Sequence, residues 1–313
     1  MSKLLLSIAF AFAVLVAGPA MAEKAKVALL LPGVITDNSV NQQIYEGLKK
    51  SEADFGFEVA YSEKVAQATQ VEIFSDYARR GYSVIVGAGG EYTDAAKRVA
   101  GQFPDVKFVI LNGAPTDGLV TVNFDGKQFG YVLGLVAGRM AKSGKIAVMA
   151  GQPLAAIDQV IDGYREGLKL SHPDGEVMVV YTNDWADVAK AKEAALNVIS
   201  QGAEVILPYL DAAYLGVAQA AQEKNSHVAS LITDTLKSHP EQTYVSALLD
   251  FGGALHLTLK LAADGKLEKK NHVFGIGSEA GYLVGFNTEV PEDVRNQAEA
   301  AVEELKAGKL VLK

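Results

Sequence analysis

The stretch KVALLLPG at residues 26–33 and the stretch KIAVMAGQ at residues 145–152 decide the fold. Each is a short apolar run that ends in turn-forming residues and leads into an amphipathic stretch. Short apolar runs of this kind are typical of parallel strands that are buried under helices on both faces. The sequence therefore predicts a doubly wound α/β fold, and the recurrence of the pattern predicts two similar lobes.

The same alternation of apolar and amphipathic segments continues through the rest of the chain. Predicted strands span residues 26–31, 57–61, 83–87, 106–111, 119–123, 145–150, 176–181, 204–208, 227–232 and 243–247. Predicted helices, in which apolar residues recur with a period of about 3.6, span residues 39–54, 67–80, 92–101, 127–142, 155–171, 187–201, 213–224 and 251–264. Ligands of open α/β sheets bind beyond the carboxyl ends of the strands, so the loops that follow the strands are the candidate binding segments.

Residues 1–22 read MSKLLLSIAFAFAVLVAGPAMA and have the features of an export signal. Lys3 precedes an apolar run at residues 4–17, and the sequence AMA before Glu23 provides a small-residue cleavage site. The apolar run is shorter than the roughly 20 residues that a membrane-spanning helix needs. We therefore expect cleavage before Glu23 and a periplasmic mature chain, rather than an N-terminal membrane anchor.

The composition excludes several classes of site and partner. The 313 residues include no Cys, which excludes disulfides, thiolate metal sites and a lipid-modified N-terminal Cys. Lys and Arg number 29 against 37 Asp and Glu, which gives a net charge of −8. Non-specific binding to nucleic-acid phosphates needs a basic surface, so nucleic acid is not an expected partner.

No arrangement of residues in the sequence is typical of a catalytic or metal centre. The Gly-rich segment 87–90 lacks the Lys-Ser/Thr ending of a phosphate-binding loop, and none of the 5 His has metal-ligand spacing. Carboxylates do follow predicted strands, and a glycosidase-type pair among them stays open: these are Asp125, Asp184, Asp187, Asp211 and Asp234. The same residues also suit hydrogen bonding to ligand hydroxyls or amines. We therefore expect binding without catalysis, and no cofactor.

Five blocks of sequence, in this order, carry a family resemblance: TDNSVNQQIYEG at 36–47, AGQFPDVKFV at 100–109, FD at 124–125 with GYVLGLVAG at 130–138, DWADVAK at 184–190 and QGAEVI at 201–206. Together they resemble the basic membrane protein family of solute-binding proteins, whose members bind purine nucleosides or bases for ABC importers. The resemblance implies a type I periplasmic binding protein, with two α/β lobes joined by three crossover strands. It implies an N-terminal lobe of residues 23–142 and 247–268 and a C-terminal lobe of residues 143–246 and 269–313.

The resemblance also implies a ligand site in the loops between the lobes. A purine is a flat aromatic ring with polar edges, so its site needs aromatic faces and a few fixed amides or carboxylates. Tyr45 and Trp185 come from opposite lobes and are the expected stacking pair. The expected ligand contacts are Asp37, Asn38, Asn41, Tyr45, Asp125, Trp185, Tyr209, Asp211 and Asp234. The alternatives are burial in a helix face for Tyr45, a loop acid for Asp125, and helix capping for Asp37, Asn38 and Asn41.

Two segments depart from the family pattern. Residues 210–216 read LDAAYLG in place of a Gly-rich turn, and residues 246–250 read SALLD where many members have a ligand-associated Lys. The expected ligand is therefore a purine nucleoside, a free base or another polar aromatic molecule. We expect a monomeric receptor that passes this ligand to an ABC permease. A ligand-sensing subunit of a membrane receptor and a periplasmic nucleoside hydrolase are the alternatives.

Overall fold

The computed structural model describes residues 25–37 and 39–312. The predicted signal at residues 1–22 and the candidate residue Asn38 lie outside the described residues. The strands are β1 Lys26–Leu30, β2 Glu58–Ser62, β3 Val84–Gly87, β4 Lys107–Leu111, β5 Val120–Phe124, β6 Lys145–Ala150, β7 Glu176–Tyr181, β8 Val205–Tyr209, β9 His227–Ser230, β10 Thr243–Leu249, β11 Asn271–Phe274 and β12 Gly281–Phe286. The helices are α1 Val40–Phe55, α2 Gln70–Arg79, α3 Thr93–Ala100, α4 Gly126–Met140, α5 Ala155–Leu168, α6 Val188–Ser200, α7 Tyr214–Lys224, α8 Thr235–Ser238, α9 Phe251–Ala263 and α10 Glu292–Lys306.

The strands form two six-stranded sheets, one in each lobe. The first sheet has the strand order β11-β5-β4-β3-β1-β2, and its strands are all parallel. The second has the order β12-β10-β9-β8-β6-β7 and is parallel except for β12, which runs antiparallel to β10. Strand residues such as Leu29, Ile85 and Val148 are completely buried. The predicted fold of two doubly wound α/β lobes is confirmed.

The chain passes between the lobes three times. The first passage is at Asp125, between β5 and α4, and the second is at Asp250, between β10 and α9. The third is the segment 275–280, between β11 and β12. Helix α4 packs on the second sheet and on α5, whereas α9 packs on β5 and α1 of the first lobe. Each of the first two passages therefore leads from a strand of one lobe into a helix of the other.

These passages differ from the lobe boundaries that the resemblance implies. Helix α4 packs with the second lobe, although the resemblance assigns residues up to 142 to the first. Strand β11 pairs with β5 in the first sheet, although residues from 269 onward are assigned to the second lobe. Strand β10 stays in the second sheet as far as Leu249, past the implied break at 246. The physical reason is that an apolar pattern locates a helix or strand without showing which sheet it joins.

Helices α4 and α5 touch through their backbones. Helix α4 has a glycine at every fourth position, namely Gly126, Gly130, Gly134 and Gly138. A Cβ atom at Gly130 would lie well under 3.0 Å from the carbonyl oxygen of Val160, and one at Gly134 equally close to that of Tyr164. Gly163 of α5 faces the backbone of α4 in the same way. Because the side chains at a helix contact set the distance between the axes, these glycines permit the close approach.

Helices α1 and α9 repeat this arrangement in the first lobe. A Cβ atom at Gly47 would collide with the carbonyl oxygen of Gly252, and one at Gly252 would collide with that of Gln43. In each lobe, a helix that arrives from the other lobe packs by backbone contact against the helix that follows the lobe's first strand. These two contacts fix the crossover helices to the lobes that they enter.

We predict that Gly130→Ala lowers the free energy of unfolding by about 1–3 kcal/mol, the usual cost of overpacking. For a chain of this size the melting temperature would fall by roughly 2–12 °C. The control is Gly101→Ala, because Gly101 has a helical φ of −65° and open space where a Cβ atom would lie. Thermal unfolding followed by circular dichroism measures both variants, and equal melting temperatures would contradict backbone contact between α4 and α5.

Candidate functional site

The carboxyl ends of the two sheets face each other across a cleft between the lobes. Tyr209 ends β8 of the second sheet, and burial raises the pKa of its hydroxyl, while the side chain of Asn112, which follows β4 of the first sheet, is close enough to offset part of that rise. A second contact joins the lobes where Gln43 Nε2 of α1 donates to the carbonyl oxygen of Ile232, after β9, at 3.4 Å. The loops that follow the strands therefore meet between the lobes, as expected for a binding site.

Asp37 caps helix α1. Its Oδ1 accepts the backbone N–H groups of Ser39 at 2.9 Å and Gln42 at 3.0 Å. Its Oδ2 accepts the backbone N–H of Asn41 at 3.1 Å and the side-chain Nδ2 of the same residue at 2.7 Å. The Asn41 amide oxygen accepts the N–H of Gly33 at 3.2 Å. Asp37 therefore acts as a helix cap, which is one of the two roles expected for it. Ligand contact by Asp37 or Asn41 stays a prediction.

Tyr45 and Trp185 are each held on their own lobe. The ring of Tyr45 makes an edge contact with Tyr61 of β2, with 4.9 Å between ring centroids and 62° between ring planes. The indole of Trp185 lies over Gly151, which follows β6, so closely that a Cβ atom there would lie well under 3.0 Å from the ring. Both side chains are half-buried. Their stacking on a shared ligand stays a prediction.

The loop that carries Trp185 is fixed by its own hydrogen bonds. Asp184 accepts the N–H groups of Ala186 at 2.8 Å and Asp187 at 2.9 Å. These two bonds lower the pKa of Asp184 below its ordinary value. Asp187 caps α6 by accepting the N–H of Lys190 at 3.0 Å. Both acids therefore position the loop through their Oδ1 atoms.

Asp125 and Asp250 occupy equivalent places at the first two passages between the lobes. Their φ and ψ angles are −75° and 80° for Asp125, and −80° and 85° for Asp250. Each carboxylate caps the helix that follows by accepting a backbone N–H, at 3.3 Å for Asp125 and 2.7 Å for Asp250. Their own N–H groups donate to the carbonyl oxygens of Phe274 at 2.9 Å and Ala280 at 2.8 Å, next to the third passage. The two residues tie the three passages together, and ligand contact by Asp125 stays a prediction.

Asp211 is an acid without a counter-charge in the cleft. Burial raises the pKa of Asp211 to about 7, with further contributions from the negative charges of Asp37 and Glu91 in the opposite lobe. The groups that act on Asp211 include no Lys, Arg or His, and no hydrogen bond or ion pair engages its carboxylate within the described residues. Desolvation by the surrounding protein also raises the pKa of Glu91. The cleft is therefore strongly acidic at this point.

Three oxygen atoms around the contact between α1 and the loop after β9 are buried and find no hydrogen-bond partner in the described part of the chain. They are Gln43 Oε1, Thr233 Oγ1 and Asp234 Oδ1. In the same loop Ile232 has a φ of 82°, a backbone conformation that is rare for a β-branched residue. Buried polar atoms are normally hydrogen-bonded, and backbone strain concentrates at ligand clamps and switch segments. Both features mark this contact as part of the candidate site.

The structure brings only part of the predicted set together. Tyr209, Asp211 and Asp234 lie on neighbouring strand ends of the second lobe, and the charge of Asp37 acts on Asp211 from the first. Four further residues line or bridge the cleft and were not predicted as site residues from the sequence, namely Gln43, Glu91, Asn112 and Ile232. Glu91 and Asn112 lie in loops after predicted strands, which is a usable signal. Nothing in the sequence singles out Ile232.

The described residues show neither a metal site nor a membrane span. Within residues 25–37 and 39–312, His, Asp and Glu side chains form no group of three or more that would hold a metal ion. None of the helices in that part of the chain is both long and apolar enough to cross a membrane. A groove of about 390 Å³ lies between α9 and β11 and extends to Ser278 and Glu279 of the third passage. A second groove, of about 260 Å³, lies between α1 and α9 and is lined in part by Gln43 and Asp250, so it adjoins the cleft.

We predict that Gly151→Ala displaces the indole of Trp185, because a methyl group at that position overlaps the ring. Trp185 is the single Trp of the chain, so its fluorescence emission reports the displacement directly. The emission maximum should shift in Gly151→Ala and stay unchanged in the control Gly101→Ala. An unchanged spectrum in both variants would show that the indole does not rest on Gly151.

Comparison with known proteins identifies relatives along the whole described chain. The family model for PnrA-like ABC transporter substrate-binding proteins, Bmp, matches residues 24–310. A purine-binding protein of Brucella abortus (strain 2308) is 28% identical over 293 residues, which cover 92% of this chain and 83% of that protein. The transcriptional activator protein med of Bacillus subtilis (strain 168) is 26% identical over 277 residues, which cover 87% and 86%.

A solved structure supports the same fold. The ABC transporter solute-binding protein structure from Aeropyrum pernix K1 superposes with a TM-score of 0.81 at 16% identity. The superposition covers 92% of this chain and 93% of that one. At this identity the similarity concerns the architecture of two α/β lobes alone.

Proposed function

Because the chain belongs to the family of PnrA-like ABC transporter substrate-binding proteins, we propose that it captures a purine nucleoside or nucleobase between its lobes for an ABC permease. Members of this family are substrate-binding proteins, so the chain is a binding protein and not an enzyme. A nucleoside hydrolase is thereby set aside. The ligand would be held without chemistry and released to the permease.

The observation that carries the proposal is the set of cross-cleft contacts made by strand-end residues. Tyr209 lies beside Asn112 and Gln43 hydrogen-bonds the carbonyl oxygen of Ile232, so residues of opposite lobes already meet. Next to these contacts lie buried acceptors that have no hydrogen-bond partner among the described residues, including Asp234 Oδ1. A ligand that fills such a cleft stabilises the closed arrangement of a hinged protein. The purine-binding relative supports a purine as that ligand.

Location and signalling belong to the same proposal. An export signal at residues 1–22 and the absence of Cys favour a periplasmic chain that is cleaved and not lipid-anchored. The alternative is a sensing role, in which the closed state serves as a signal to a membrane receptor; a relative named as a transcriptional activator indicates that a regulatory role occurs among similar proteins. Stimulation of ATP hydrolysis by a reconstituted permease would separate delivery from sensing, because a pure sensor leaves that rate unchanged.

We predict that a purine nucleoside or base raises the melting temperature of residues 23–313 after they have been unfolded and refolded to remove bound molecules. Ligand at 100 times its dissociation constant stabilises by about 2.7 kcal/mol, which corresponds to roughly 5–10 °C here. Sugars, amino acids and riboflavin serve as comparison ligands. The purine proposal fails if no purine shifts the unfolding transition while one of these other classes does.

The stacking role of Trp185 has its own test. Because stacking on an aromatic side chain contributes about 1–3 kcal/mol per base, Trp185→Ala should weaken purine binding by roughly 5- to 150-fold. Trp185→Phe keeps an aromatic face and should retain most of the affinity. The control is Leu170→Ala, because Leu170 is an exposed apolar residue in the turn between α5 and β7, at the end of the second sheet opposite the cleft. Isothermal titration calorimetry measures all three, and equal affinity of Trp185→Ala and the unsubstituted protein would remove Trp185 from the site.

A further inference from the structure

Two acids of the second lobe, Asp211 and Asp234, lie where the lobes meet, and no donor of the described residues hydrogen-bonds the Asp211 carboxylate or Asp234 Oδ1. Asp211 follows β8 and Asp234 follows β9, and these two strands are neighbours in the second sheet. The first lobe opposes them with more acids, since the charges of Asp37 and Glu91 act on Asp211. Asp37 supplies no donor to Asp211, and its own carboxylate already accepts four hydrogen bonds at the start of α1.

Two buried oxygen atoms near the cleft also indicate that a bound molecule must supply hydrogen-bond donors. Asp234 Oδ1 and Gln43 Oε1 are acceptors, and within the described residues neither receives a hydrogen bond. They belong to opposite lobes and lie beside the contact between Gln43 and Ile232. A buried acceptor that receives no hydrogen bond destabilises the structure, because it has lost its water and gained no donor. A molecule bound between the lobes removes this cost only if it brings donors.

We propose that the ligand presents N–H donors to the carboxylates of Asp211 and Asp234, so that the cleft selects amino-substituted purines and rejects purines that carry negative charge. This inference rests on the proposed function and names the class of purine. A carboxylate accepts from an amino group or from paired N–H groups on a purine edge. A phosphate in the same place would meet the like charges of Asp211, Asp37 and Glu91, so nucleotides are excluded.

The electrostatics of Asp211 give the inference a measurable pH dependence. The titratable groups that face Asp211 are Asp37 and Glu91 from the first lobe and the Tyr209 hydroxyl from its own lobe. The free carboxyl has a pKa of about 7, and an N–H donor stabilises its charged form and so lowers this pKa in the complex. The contribution to binding is complete above the free pKa and is lost as the pH falls below it. Affinity should therefore drop about tenfold from pH 8 to pH 6.

The experiment is isothermal titration calorimetry with two pairs of nucleosides that differ by one amino group. Guanosine is compared with inosine, and adenosine with purine riboside, at pH 6, 7 and 8, with GMP and AMP as charged probes. The unsubstituted protein should prefer the amino-bearing member of at least one pair by tenfold or more. It should release a proton on binding near pH 7 and bind the nucleotides at least a hundredfold more weakly.

The variants are Asp211→Asn and the control Asp174→Asn, an exposed residue in the turn before β7, at the end of the second sheet opposite the cleft. Asp211→Asn should lose the pH dependence and weaken the preference, because Asp234 still accepts from the ligand, whereas Asp174→Asn should keep both. A pH dependence that survives in Asp211→Asn would overturn the inference and leave the proposed function standing. If no nucleoside binds, both fail. Proton release is measured on the unsubstituted protein, so it does not depend on whether a variant folds. If binding near pH 7 releases no proton, Asp211 does not have the proposed role.

Discussion

Backbone contact between helices, made possible by glycine, is the constraint on which the rest of this structure depends. Helix α4 leaves the first sheet and packs through Gly130 and Gly134 against α5 of the second lobe. Helix α9 follows β10 of the second sheet and packs through Gly252 against α1 of the first lobe. Each crossover helix is thus fixed to the lobe that it enters, and freedom between the lobes is confined to the passages that precede α4 and α9 and to the segment 275–280.

The candidate site follows from this arrangement. With the crossover helices fixed, the carboxyl edges of the two sheets are directed toward each other, and the loops after β8 and β9 meet the first lobe at Asn112 and Gln43. That geometry places the carboxylate of Asp211 opposite other acids, and it leaves Asp234 Oδ1 buried without a donor among the described residues. The cleft therefore contains negative charge and hydrogen-bond acceptors that the described residues do not satisfy, and a molecule with several donors would satisfy them.

Much of the fold was accessible from the sequence, because a buried parallel strand needs a continuous apolar run and its covering helix needs a 3.6-residue period. The sequence pattern was too weak for β11, because two of its four residues are Asn271 and His272 and none of the four is fully buried. It also missed α10, although the buried residues Val294, Ala298, Ala301, Val302 and Leu305 follow a helical period. The site was less accessible. An Asp after a strand suits a ligand and a helix cap equally well, since both supply N–H groups, and only the structure assigns capping to Asp37 and Asp125. The contact of Gln43 with Ile232 joins residues far apart in the chain, which no local pattern reveals.

Capture of a purine between the lobes can be seen directly in a crystal structure of residues 23–313 grown with a purine that binds in solution. We expect electron density for the purine in the interlobe cleft, within hydrogen-bond distance of the loops after β8 and β9 and in contact with Trp185. Density for the purine in the groove between α9 and β11, with an empty interlobe cleft, would show that the lobes do not capture it.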